Sequence, residues 1–535
     1  LTTWYVRPNT SHSGSRNGTS YATAWGGWTE IVWGAGGVTA LDTLYICGAH
    51  SYSSITTVGN HTGTSGNEVT IRGDYAEDPG SLSYATATYL ATRSHTKWLN
   101  LSISGVSRCM LTGTLTNHIM TNVSFFGGIN PIFALFGSTG NNYTDLSFVN
   151  CFFTGGGALN VPGSHAAFDW FCANAAAIST VTRLTFDSCI FRNVNLSGTG
   201  RGVVGLRTEQ GTDVSSIVSD LIFKNNTFYN CVGYALEALD GHSIGAASPQ
   251  YGLWKGARVF NNKVYNQQVD VTRVLGGGFS LFGFSQSTSA SFGSNLVSYN
   301  LVDGAVGQAG GVNVGYGTSI IEYNTFKNLS TESIDACGIL IDIAALDCIV
   351  RYNHCENLMG KNQVINSGCA IMILNANNIQ VYSNTAKNVK CGVFFGSMTL
   401  GNTSYVYSNT FIDCIDYGVF VSSLASRSSI YCKNNIFSSL SSSTTISIQD
   451  DVGGWANEDY NYFSTSFLTA VNHTMGANNI TQNPKLKFIY FPFTGSSAIA
   501  AGTYLGNLQD KNSSAFWNPP SIGAYEYIRP RTMRS

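Results

Sequence analysis

From Gly338 the chain runs Ile-Leu-Ile-Asp-Ile, breaks at a short turn, resumes as Cys348-Ile-Val-Arg-Tyr and reaches Asn353. From Gly392 it runs Val-Phe-Phe, crosses a polar turn, resumes as Tyr405-Val-Tyr and reaches Asn409. Short β-branched and aromatic runs between Gly, Ser and Asn clusters predict strands. No stretch shows the ten or more residues of 3.6 periodicity that a helix needs.

The asparagine recurs. Tyr323-Asn324-Thr-Phe-Lys-Asn328 returns in degenerate form with its second position at 226, 262, 300, 324, 353, 384, 409, 435 and 461. The gaps are 36, 38, 24, 29, 31, 25, 26 and 26 residues. A period in the twenties, stretched by insertions, is the signature of a solenoid. Three short strands fit one repeat, so the chain is expected to wind as a parallel β-helix. Asparagine at one corner of successive coils suits left-handed backbone geometry and a side-chain amide ladder.

This repeat resembles that of the right-handed parallel β-helix, or pectate-lyase-like, superfamily, which includes polysaccharide lyases, glycoside hydrolases and phage tailspikes. Both ends are similar too. At the entry stand Trp4-Tyr5-Val6, Asp42-Thr43-Leu44-Tyr45-Ile46 and Val69-Thr70-Ile71-Arg72-Gly73, and at the close Asn483-Pro484-Lys485-Leu486 and Ile522-Gly523-Ala524-Tyr525. The resemblance implies an all-β, single-stranded right-handed parallel β-helix solenoid with N- and C-terminal caps. We expect an entry cap over residues 1–40, coils over 41–465 and a capping segment over 466–535. The fold hosts many chemistries and does not name one.

Composition narrows the partners. Of 535 residues 11% are charged, 43% are hydrophobic, 58 are glycine, and the net charge is −2. No basic cluster precedes the Arg529–Arg534 tail, so a nucleic-acid partner is not expected. No apolar run reaches the roughly 18 residues of a membrane span. Thirteen cysteines, an odd count without a C-x-x-C pair, read as small inward stacks of free thiols rather than disulfides or zinc ligands. Sequons such as those at Asn60, Asn100 and Asn472 are expected by chance in so Asn-, Ser- and Thr-rich a chain.

Function is expected in the long coils, where about a dozen extra residues each fall near 205–219, 239–256 and 266–277 and would wall a groove. Members of the superfamily that cleave glycosidic bonds use a carboxylate pair. The candidates are Glu237 with Asp240 or Glu209 as catalytic carboxylates, and Asp213 nearby. His242, Arg207, Trp254 and Tyr251 are the candidate substrate contacts. Counting from Gly233 and Gly338, Glu237 and Asp342 are expected to face solvent. Asp335 and Asp342 form a weaker second pair. Each of these, taken singly, is also an ordinary surface charge, and the aromatic residues are as readily core.

A calcium-dependent lyase would need converging carboxylates and a basic residue. Only Lys255 and Arg258 lie near, so no metal and no cofactor are expected. The resemblance implies a polysaccharide or cell-surface glycan as partner, a place outside the cell (virion surface or secreted), and a homotrimer. The competing expectation is a non-catalytic structural or adhesive β-helix.

Overall fold

The computed structural model describes residues 1–525 apart from 9–14, 54–62, 86–87, 92–93, 106–108, 112–113, 128–131, 137–140, 157–164, 173–178, 196–201, 209–216, 240–252, 269–275, 283–294, 307–309, 331–335, 361–366, 397–402, 423–428, 440–445, 452–454, 465–469, 472–473, 488–489, 493, 495, 506–508, 513–514 and 516–519. The described chain forms two compact units, Leu1–Gly293 and Ser294–Ser535.

In the first unit each coil contributes to three parallel sheets. The first sheet stacks Thr3–Arg7, Thr43–Ile46, Val69–Arg72, Thr96–Leu99, Leu115–Thr121 and Asn142–Val149. The second stacks Ala49–Tyr52, Ser81–Tyr84, Ser102–Gly105, Ser124–Gly127, Phe152–Gly155 and Ile190–Val194. In the third, Phe133–Phe136, His165–Cys172, Gly202–Thr208, Tyr234–Leu239 and Gly277–Phe282 pair in that order. Every neighbour is the equivalent strand of the next coil, which is what a β-helix requires.

Alternation sends one side chain in two inward. The inward phenylalanines stack coil on coil: Phe125–Phe153–Phe191–Phe228 at 4.9, 4.8 and 4.5 Å between ring centroids. Each such pair adds about 0.5–1.5 kcal/mol beyond the burial of its area.

The second unit repeats the plan. Its coil of Ala336–Ala345, Ile349–Arg351 and His354–Met359 pairs strand for strand with Ser367–Ile373, Ile379–Tyr382 and Thr385–Val389. The expected asparagines stand at one corner. Asn300, Asn324, Asn353, Asn384, Asn409 and Asn435 each donate a side-chain amide hydrogen to Oδ1 of the next, at 2.9–3.0 Å, and the last acceptor is Asn461. All are buried.

The backbone account needs one correction. The left-handed residues are those just before the ladder, Tyr299, Tyr323, Tyr352, Ser383, Ser408 and Asn434, with φ of 52–60°. The ladder asparagines themselves are not left-handed; their inward amides are selected for hydrogen bonding. A second corner does combine both properties. Asn328, Asn357 and Asn388 have φ of 52–55° and form a ladder on the surface side.

The C-terminal segment lies back along the second sheet of this unit. Ile522 and Ala498 pack on Ile436 and Tyr462, all fully buried. Further back, Ala524 N–H donates to Thr410 Oγ1 (2.9 Å), Ser383 Oγ–H to the Gln509 carbonyl (2.9 Å) and Lys511 Nζ to the Asn353 carbonyl (2.7 Å). Among the described residues eleven cysteines are buried and outside any disulfide. Burial pushes the Cys47, Cys231 and Cys355 thiols up to about 12.

Candidate functional site

The third sheet of the first unit carries the candidate chemistry. Its register aligns Phe168, Val204, Leu236 and Phe279 in one row. That row faces the core, because Phe168 packs edge-on against Phe186 (5.1 Å) and Phe279 against Phe223 (6.5 Å). The next residue of each strand therefore points to the opposite face. That outer row reads Asp169, Gly205, Glu237, Ser280.

Two carboxyl side chains thus share a row, two rungs apart, with a glycine between them. At about 4.8 Å per rung their backbones are roughly 9.6 Å apart. Gly205 itself contributes no side chain to that row. Asp169 is 4% exposed and Glu237 is 0% exposed. The expectation that Glu237 faces solvent is thereby corrected: it lies on the outer row, yet it is buried.

The other expected residues fall as follows. Arg207 stands two positions beyond Gly205 on the same strand, level with Phe171 and Leu239. Trp254 takes the register of Val218 within the strand Leu253–Lys255. Asp342 is paired with Gly315 and half-buried, not an open surface charge, and belongs to the second unit. Glu209, Asp240, His242, Tyr251, Asp213 and Asp335 lie outside the described residues.

The insertions are narrower than expected, because Gly202–Thr208 and Leu253–Lys255 are strands. The lengthened connections are those between Thr208 and Ile217, between Leu239 and Leu253, and between Tyr265 and Gly277. All three adjoin ends of the strands that bear Gly205, Glu237 and Ser280.

Asp169 was not anticipated. Its signal is the strand phase: Ala166-Ala-Phe-Asp-Trp aligns with Val203-Val-Gly-Leu and Ala235-Leu-Glu-Ala once the core positions are superposed. No group of three or more His, Cys, Asp or Glu gathers as metal ligands among the described residues. No helix there is long and apolar enough to cross a membrane.

A second titratable cluster belongs to the other unit. Lys511 Nζ donates to Thr385 Oγ1 as well as to the Asn353 carbonyl, both at 2.7 Å, and burial pulls its pKa down to about 7. Beside it His354, 3.5 Å from Glu356, is held down to about 4, first by burial and then by the Lys511 charge.

No protein-family model matches the sequence, nor does any curated protein. Solved structures do. A mannuronic-acid-specific polysaccharide family 6 lyase from human gut microbiota is 13% identical over 81% of this chain and 82% of its own, with a TM-score of 0.34. A tailspike mutant of E. coli bacteriophage HK620, in complex with a pentasaccharide, is 12% identical over 82% and 71%, at 0.32. The GH136 lacto-N-biosidase of Eubacterium ramulus is 10% identical over 90% and 67%, also at 0.32. Likenesses this low carry no argument, and the chain's own coil-by-coil register establishes the fold. The chain folds as a right-handed parallel β-helix. Within that β-helix, the Asp169–Gly205–Glu237 row is the arrangement with the clearest chemical content.

Proposed function

We propose that this β-helix binds and hydrolyses a neutral or weakly charged polysaccharide on the outer face of the third sheet of its first unit. The observation that supports the reading is the pair Asp169 and Glu237 flanking Gly205. Backbones roughly 9.6 Å apart leave the two side chains room to set their carboxyl groups in the wider, inverting arrangement, in which a water fits between base and sugar. Glu237 is assigned the proton donor. It protonates the glycosidic oxygen as the bond from the anomeric carbon breaks. Asp169 takes a proton from the water whose oxygen forms the new bond to that carbon. Arg207, two residues beyond Gly205 on the same strand, is assigned to hold the substrate. Asp240 and Glu209 are the alternative partners for Glu237.

Since Glu237 has no exposed surface, substrate reaches it only when the groups over this row part. The same burial favours a second reading, a structural or adhesive β-helix without turnover. Glu237→Gln keeps shape and removes the acid. Incubation with surface polysaccharides, read by new reducing ends, should show cleavage by the unaltered protein and none by Glu237→Gln or Asp169→Asn. Cleavage that survives both changes moves the site; no cleavage by the unaltered protein leaves the structural reading. The superfamily resemblance also supports an extracellular, secreted or virion-borne homotrimer. Light scattering that returns a monomer at micromolar concentration excludes the trimer.

A further inference from the structure

A different face of the first unit carries a cleft of about 430 Å³ whose lining includes Asp74, Tyr75, Asn100, Ser102, Asn122 and Ser124. Its floor is the start of two successive strands of the second sheet, where Ser102 and Ser124 are in register. One corner before them stand Asn100 and Asn122, both left-handed, with φ of 52° and 53°. Two adjacent coils thus offer the same amide and hydroxyl twice, one rung apart.

The wall is the turn from Asp74 to Pro79, closed by Gly80 N–H on the Gly73 carbonyl at 2.6 Å. Tyr75 in that turn is fixed by its neighbours. It stacks on Tyr21 at 5.0 Å and meets Tyr5 and Tyr45 edge to face at 5.4 and 5.5 Å.

The polar groups are connected in one direction. Asn122 Nδ2 donates to Asn100 Oδ1 (2.8 Å), Asn100 Nδ2 donates to Asp74 Oδ2 (2.7 Å), and Arg72 grips both Asp74 oxygens at 2.8 and 2.6 Å. The guanidinium holds the Asp74 carboxyl below its ordinary range and cancels its charge. Asp74 Oδ1 receives one of these bonds and keeps a lone pair, and Asn122 Oδ1 ends the chain as an exposed acceptor. The Ser102 and Ser124 hydroxyls have no side-chain partner among the described residues.

We infer that this cleft is a second glycan-binding site, remote in function from cleavage, for a neutral polysaccharide. Preset donors and acceptors, a fixed aromatic wall and a cancelled charge match a ligand of hydroxyls and C–H faces. The doubled amide-hydroxyl pair matches a ligand whose groups repeat. A polyuronate would meet Asp74 and an already engaged Arg72, and is disfavoured. Holding a long polymer on one face while another face works on it raises the local substrate concentration without new contacts at the cleavage row. The inference rests on the proposed function only in taking the ligand to be a glycan.

Electrophoresis of the full chain through gels containing dextran, galactomannan, xylan or alginate tests it. At least one neutral polymer should retard the unaltered protein, and alginate should not. Tyr75→Ala and Asn122→Ala should each weaken that retention about tenfold, while Glu237→Gln keeps it. Asn122 is exposed and makes one side-chain bond, so its variant folds even if the aromatic cluster does not tolerate Tyr75→Ala. Retention unchanged in Asn122→Ala, lost only in Glu237→Gln, or absent with every neutral polymer overturns the inference. The reducing-end assay, read separately, decides the cleavage row.

Discussion

Asn324 donates both its backbone N–H (3.0 Å) and its side-chain amide (2.9 Å) to a single oxygen, Oδ1 of Asn353. Asn353 repeats the act on Asn384 and also donates to the Ile321 carbonyl behind it. Each buried amide is thereby saturated by its two neighbours. Asn353→Ala strands two donors of Asn324 at once and should destabilise the second unit by roughly 2–4 kcal/mol. Asn357→Ala, in the ladder on the surface side, leaves groups that water can satisfy and should cost under about 1 kcal/mol. Denaturant unfolding of the two variants should separate them; equal losses would mean that the buried ladder has no special weight.

The corner residue before the ladder answers to backbone geometry instead. Ser408 has φ 52° and precedes Asn409. Ser408→Val places a branched Cβ where left-handed geometry costs roughly 1–2 kcal/mol. Ser408→Gly should change stability by about 0.5 kcal/mol or less, since glycine fits that geometry but loosens the unfolded chain. A valine variant that melts with the unaltered protein refutes the assignment.

The carboxylate row gives a steric prediction that no sequence motif supplies. Gly205→Leu fills the gap between Asp169 and Glu237 without removing either. Turnover of a cleaved glycan should fall at least a hundredfold, and retention at the Tyr75 cleft should not change. Unimpaired turnover would show that the two carboxyl groups do not act on one substrate across that gap.

Acid should loosen the docked C-terminal segment. His354 faces Lys511, Glu356, Lys327 and Tyr490, and its folded pKa of about 4 lies below the ordinary histidine value of 6.5. Between those values the unfolded chain binds a proton that the folded chain does not, so stability falls as pH drops from about 6.5 to 4. Lys511, at about 7 against 10.5, has the same sign in its own window: its contribution improves as pH rises from about 7. Melting temperatures across pH 4–6.5 should show the unaltered protein losing ground to His354→Gln. Parallel curves would exclude His354 as the titrating group.

The asparagine hexads made the coils legible because one buried amide per coil must stand in one column, and chemistry repeated in space repeats in sequence. The left-handed position was misplaced by one residue for a physical reason. Tyr, Ser and Asn all occupy it, as at Tyr352, Ser383 and Asn434, so no single letter marks it. Glu237 was found from its local neighbours, but Asp169 belongs to a coil outside the run of recognised hexads, and without register nothing aligned it with Gly205. Burial of Glu237 was also illegible, since phase predicts which way a side chain points and not what lies over it. The Lys511–Asn353 bond joins positions 158 residues apart and follows from no period.

The buried ladder also bears on how such a chain changes length over time. Every asparagine presents the same acceptor to the coil before it and the same donors to the coil after it. Excision of residues 385–409 would bring Asn384 against Asn435 with donors and acceptor still matched. Gain or loss of a whole turn is therefore a nearly silent event for the interior, whereas loss of half a turn breaks the column. Heredity can thus edit this molecule in complete turns, shifting its outer rows past one another while the interior stays solved.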